Sequence, residues 1–98
     1  MPTVRRHLLI AGQVQGVYFR DSLRRLAVEH AVAGWVRNVP DGRVEAVLEG
    51  ESEAVARLVA WAHHGPPEAV VSQVDVYDEP TEGLREFLVL PTPRRVGG

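Results

Sequence analysis

The chain has 98 residues, is 45% apolar and 24% charged, and carries a formal net charge of −2. That length supports one core and not two, burying roughly 60–65% of the unfolded surface. The weakly acidic balance disfavours non-specific binding to nucleic acid or an anionic membrane, and the lack of cysteine excludes disulfides, thiolate nucleophiles and cysteine-ligated metals.

Residues 4–12, VRRHLLIAG, are a β-rich run closed by glycine and predict the first strand. Beyond the segment GQVQGVYFR (residues 12–20), Phe19, Leu23, Leu26, Ala27 and Ala31 recur at three- and four-residue spacing, which predicts an amphipathic helix over about 20–30. GWVRNV (34–39) reads as a second strand, Pro40-Asp41-Gly42 as a turn, and RVEAVLEG (43–50) as a third strand. In that third strand Val44, Ala46 and Leu48 share one face, while Arg43, Glu45 and Glu49 share the other. Ser52 is placed to cap a second helix whose apolar stripe is Val55, Leu58, Val59 and Ala62. Gly65-Pro66-Pro67 stops that helix. Strands over 70–77 and 86–90 follow, and PTPRRVGG (91–98) reads as a frayed tail beyond an ordered core of about 4–91.

The order is βαββαβ with a short fifth strand. Two split βαβ units of this kind make an α+β, ferredoxin-like α/β sandwich, a mostly antiparallel sheet with both helices on one face. The whole of residues 1–98 is then a single domain. Strands 1 and 2 run parallel with strand 3 between them, so their C-terminal ends share one sheet edge, about 10 Å apart at two strand spacings. One end feeds GQVQGVYFR; the other stops at Asn38.

A loop entering a helix N-terminus gathers backbone N–H groups that the helix cannot satisfy, in the positive field of the aligned peptide dipoles. Glycines at Gly12 and Gly16 permit those N–H groups to converge. Arg20 either adds a planar, permanently charged fork suited to two phosphate oxygens or is a solvated first-turn arginine after an ordinary glycine-bearing turn. All eleven basic residues are arginine, so the lysines of Walker A loops and Schiff-base enzymes are excluded too. No nucleophile accompanies this cradle: Val14 stands six residues before Arg20, where thiol phosphatases carry cysteine, and Ser22 reads as a solvated helix serine. Asp21 reads as a first-turn acid paired with Arg24 or Arg25. Hydrolysis without nucleophile, metal or strong base requires an activated substrate. A mixed carboxylic–phosphoric anhydride meets that need, because its carboxylate leaves unprotonated. Asn38 could hold the attacking water through its amide oxygen, or be simply a polar residue beside a turn.

GQVQGVYFR together with GWVRNVPDGRVE (34–45) resembles the two signature segments of the acylphosphatases, and GPPEAVVSQVDV (65–76) is similar to that family's downstream segment. The resemblance implies a small, cofactor-free and metal-independent hydrolase of acyl phosphates that releases a carboxylate and inorganic phosphate. It implies that Arg20 binds the phosphate, that Asn38 positions the water, and that backbone N–H groups from Gln15, Gly16, Val17, Tyr18 and Phe19 receive the phosphate. It further implies that a phosphate oxygen of the substrate acts as base. Val39 departs from members that carry a hydroxyl residue directly after the asparagine.

Adjacent histidines His63 and His64 point about 100° apart on a helix and do not chelate one ion; they fit a last turn facing the helix dipole. His7 and His30 have no partners at ligand spacing, Trp35 and Trp61 read as core or boundary aromatics, and Tyr18 either lines the pocket mouth or packs. Two rivals remain: an RNA-binding sheet, disfavoured because strand 3 has no aromatic, and an anion-binding segment like the acylphosphatase-like part of larger carbamoyl-transferring maturation proteins. With no apolar run near 18 residues and no leader pattern, the expectation is a cytoplasmic monomer with no membrane span.

Overall fold

Alternation along the strands sets one apolar face. Leu8 and Ile10 on the first strand, Val36 on the second, and Val44, Ala46 and Leu48 on the third are all fully buried, as period-two side-chain placement requires. The computed structural model describes residues 2–94. Its elements are β1 (Thr3–Gln13), α1 (Phe19–Glu29), β2 (Ala33–Asn38), β3 (Val44–Glu51), α2 (Ser52–Ala62), β4 (Val70–Glu79) and β5 (Phe87–Val89). The sheet order is β4-β1-β3-β2-β5. β3 is antiparallel to both β1 and β2, β4 is antiparallel to β1, and β5 is parallel to β2. This is the expected ferredoxin-like α+β sandwich, with each strand or helix within a few residues of its reading from the sequence.

Both helices lay their apolar stripes on that one face. Leu23 and Ala27 of α1 and Val55, Leu58 and Ala62 of α2 join the strand residues in one core. The rings of Phe19 and Trp61 meet at 5.1 Å between centroids and tie the two helices together. Each large apolar side chain sealed there contributes about 1.5–3 kcal/mol.

Two local readings need correction. Ser52 does not cap α2: Glu51 holds the cap position without a side-chain hydrogen bond, and the Ser52 N–H donates to the Pro2 carbonyl at 3.0 Å. β3 passes straight into α2, so no connecting residue is left to fold back as a cap. Gly12, read both as the last residue of the first strand and as a loop glycine, lies within β1, which runs on to Gln13. The β1–β4 register shifts between Ala11 and Gly12, and a Cβ on Gly12 would stand 2.1 Å from the Val70 carbonyl oxygen. Gly65 acts as read, donating to the Trp61 carbonyl at 2.8 Å with φ +70°. Residues 91–94 form neither helix nor strand, and the rest of the expected tail, 95–98, lies outside the described residues.

The opposite sheet face is tied by charge. Arg5 contacts Glu79 at 2.9 Å and Glu49 and Glu82 at 3.5 Å. His7 sits between Glu79 and Glu45, at 2.7 Å from each, and Glu45 also accepts from Arg37 at 2.8 Å. Glu49, nearly sealed from solvent, accepts the backbone N–H groups of Glu82, Gly83 and Leu84 at 3.0, 2.8 and 2.9 Å. The link from β4 to β5 is thereby fastened to the middle of the sheet.

Candidate active site

The segment leaving β1 is pinned at both ends by its own side chains. Val14 and Phe19 are buried in the core, while Gln15, Gly16 and Tyr18 between them are exposed. Gly16 has φ +74° and Tyr18 φ +65°. For tyrosine this left-handed conformation costs about 1–2 kcal/mol. It turns the chain directly into α1, whose first intrahelical bond runs from the Ser22 N–H to the Tyr18 carbonyl, with no side chain capping the start. The N–H groups of Gly16, Val17, Tyr18, Phe19 and Arg20 donate to no acceptor among the described residues. A row of free donors therefore faces outward at the positive end of the helix.

Arg20, in the first turn of α1, is half-buried. Arg5, Arg6, Arg37 and Arg43, the other arginines that are not exposed, each pair with a carboxylate. Among the described residues Arg20 alone is both partly buried and without such a partner. Its neighbour Asp21 is engaged by Arg25 at 3.1 Å, one of the two pairings expected. Gly16, Tyr18, Phe19, Arg20 and Val89 help to line a cavity of about 420 Å³. A cation held partly out of water beside free N–H donors favours an anion.

Asn38 closes β2 in the row Ile10–Val44–Asn38, three residues before the end of β1. It lies outside the lining of that cavity, and the connection to the loop runs through Gln15. The Gln15 Nε2 donates to the Val39 carbonyl at 2.8 Å and the Arg43 carbonyl at 3.0 Å. Asp41 braces the same turn, accepting from the Arg43 backbone N–H at 3.0 Å and from its guanidinium at 2.8–2.9 Å. The Asn38 Oδ1 is buried and accepts no hydrogen bond among the described residues. An unsatisfied buried acceptor costs about 1–3 kcal/mol. Val17 is half-buried against the core, leaving its backbone as its contribution to the loop.

One larger hollow lacks this chemistry. An apolar groove of about 540 Å³ between β1 and α2 carries Arg6, which is already held by Asp78 at 3.1 Å. His63, on its rim, places Nδ1 3.0 Å from the Val59 carbonyl oxygen. Among the described residues no three His, Asp or Glu side chains converge to hold a metal ion.

A family model for acylphosphatase matches residues 6–89. The chain belongs to the acylphosphatase family. An acylphosphatase of Gloeobacter violaceus is 58% identical over 87 residues, 89% of this chain and 94% of that protein. One of Thermococcus kodakarensis is 56% identical over 90 residues, 92% of this chain and 99% of its own length. The structure of an acylphosphatase from Coxiella burnetii superposes with a TM-score of 0.86 at 39% identity, covering 90% of this chain and 93% of that one. The Coxiella burnetii structure thus shares the fold of this chain.

Proposed function

We propose that the chain hydrolyses the carboxyl–phosphate anhydride of acyl phosphates, with residues 15–19 and Arg20 holding the phosphoryl group and Asn38 holding the attacking water. The observation that carries this reading is the half-buried, unpaired Arg20 at the head of a loop of free N–H groups. Asn38 ends β2 beside the turn that Gln15 ties to the loop, which supports the water's place.

Water attacks phosphorus in line, the bond from phosphorus to the acyl oxygen breaks, and its electron pair leaves with the carboxylate. The water's proton passes to a phosphoryl oxygen, and the product is inorganic phosphate. The protein's part is to position the water and to neutralise charge on the equatorial oxygens. The missing hydroxyl at Val39 is no obstacle to the loop–hairpin tie, because Gln15 reaches the carbonyl of that residue and not its side chain.

In Arg20→Ala, phosphate binding and turnover both suffer, with kcat/KM falling about 10²–10³-fold. In Asn38→Ala, kcat falls about 100-fold while KM moves little. Steady-state hydrolysis of benzoyl phosphate in EDTA reads both; full activity in either folded variant contradicts its assigned role. We further propose that residues 1–98 act as one domain, a cytoplasmic monomer that binds neither nucleic acid nor membrane. Ion pairs across the open sheet face support the monomer, and sedimentation at assay concentration tests it. No helix among the described residues is long and apolar enough to cross a membrane.

A further inference from the structure

Tyr18 combines three features that packing alone does not explain. Its side chain is 72% exposed, although it sits between residues sunk in the core. Its backbone takes φ +65°, a conformation that glycine adopts without strain. Its hydroxyl makes no hydrogen bond among the described residues. Tyrosine at this position is thus neither a core residue nor a good choice for the turn, and strain retained without a packing role marks functional positions.

The place it occupies suggests the role. Tyr18 lines the same cavity as Gly16 and Arg20. The lining is polar at Arg20 and the loop backbone and apolar at Tyr18, Val14 and Val89. Val89 is itself 42% exposed and comes from β5, where it pairs with Val36, two residues before Asn38. An acyl phosphate with its phosphoryl group at Arg20 must send its acyl group past these side chains. Asp21 also lines the cavity, its carboxylate held by Arg25 at 3.1 Å.

We propose that Tyr18 is a specificity-determining residue of this site: its ring, with Val89, forms a platform for the acyl half and selects flat, apolar acyl groups over small ones. This rests on the acylphosphatase reading and adds the acyl-side contact to it. An aromatic ring offers a large rigid surface at low conformational cost, and an aromatic acyl group stacks on it offset or edge-on.

The test compares benzoyl phosphate with acetyl phosphate in the wild type, Tyr18→Gly and Tyr18→Asn. Both replacements suit a left-handed backbone, so the loop keeps its course; circular dichroism and a thermal melt check folding. The readout is the ratio of the two kcat/KM values, in which changes common to the phosphate end cancel. The platform predicts that the benzoyl-to-acetyl ratio falls about tenfold in both variants, chiefly through the KM for benzoyl phosphate. Val89→Ser lowers it in the same direction by a smaller factor. If both substrates decline in proportion, or neither changes, Tyr18 is not an acyl contact and the proposal is overturned while the acylphosphatase reading stands. If folded wild type turns over neither substrate, that reading fails and the proposal with it.

Discussion

Gln15 acts through two hydrogen bonds that reach 24 and 28 residues along the chain, to carbonyls on either side of the β2–β3 turn. Their acceptors are backbone atoms, so no residue pattern announces them, and the sequence shows only a glutamine between a valine and a glycine. Arg20 stands out as a candidate in the sequence for a different reason, a permanent charge in the first turn after a glycine-bearing loop, while its lack of a carboxylate partner is visible only in the fold. Asn38 is legible as a strand-end amide, but the isolation of its Oδ1 appears only in three dimensions. Replacing Gln15 by alanine removes the tie that fixes the loop against Asn38. We expect a stability loss of about 1 kcal/mol and a fall in kcat/KM of about tenfold, since small misplacements of reacting groups are costly. Gln15→Glu sets a carboxylate against two carbonyl oxygens and beside the phosphate, and its KM rises further than that of the alanine variant. Melting curves and benzoyl phosphate kinetics on the two proteins check both statements.

At the scale of elements, strand and helix order follow directly from periods of two and of three to four residues, and the βαββαβ order then constrains the topology. What periodicity does not carry is how closely two backbones approach. Gly12 and Gly16 look alike in GQVQGVYFR, yet one is a strand residue packed against the Val70 carbonyl and the other has open space around it. They separate on substitution. Gly12→Ala forces β1 and β4 apart at their bulge and costs about 3 kcal/mol or more. Gly16→Ala meets no atom within 4 Å and costs only the left-handed backbone, about 1–2 kcal/mol. Chemical denaturation of the two variants reads the difference directly, and equal losses contradict the assignment of Gly12 to the strand contact. The misread Ser52 has a related origin: a capping residue is recognisable locally, whereas a strand that runs directly into a helix is not.

Over the whole molecule, sheet register assembles a charge network from positions as far apart as Arg5 and Glu82. Sequence reading left His7 without partners, because its two glutamates come from β3 and β4. Folding lowers the pKa of three carboxyl groups here. Burial of Glu45 raises it, but hydrogen bonds from Arg37 and His7 outweigh that. Burial of Glu49 likewise raises it, and three backbone N–H groups with Arg5 more than compensate. Arg5 and then His7 lower Glu79. Their stabilisation is complete above the unfolded carboxyl range, about pH 4.3, and is lost as pH falls through the lower folded values. The melting temperature should therefore drop steeply only below about pH 4.5. In Glu49→Gln the neutral-pH stability falls by about 2–3 kcal/mol and the acid limb becomes shallower, which a pH series of thermal melts resolves. An acid limb of wild-type steepness in that variant contradicts the role given to Glu49.

The central claim is that the cradle holds the phosphoryl group while water is directed at phosphorus. Hydrolysis of benzoyl phosphate in ¹⁸O-labelled water, with EDTA present and at enzyme levels that far outrun the spontaneous reaction, tests it most directly. Attack at phosphorus places one label in inorganic phosphate and none in benzoate. Label in benzoate would show attack at the carbonyl carbon, and the roles given to the loop, Arg20 and Asn38 would be wrong.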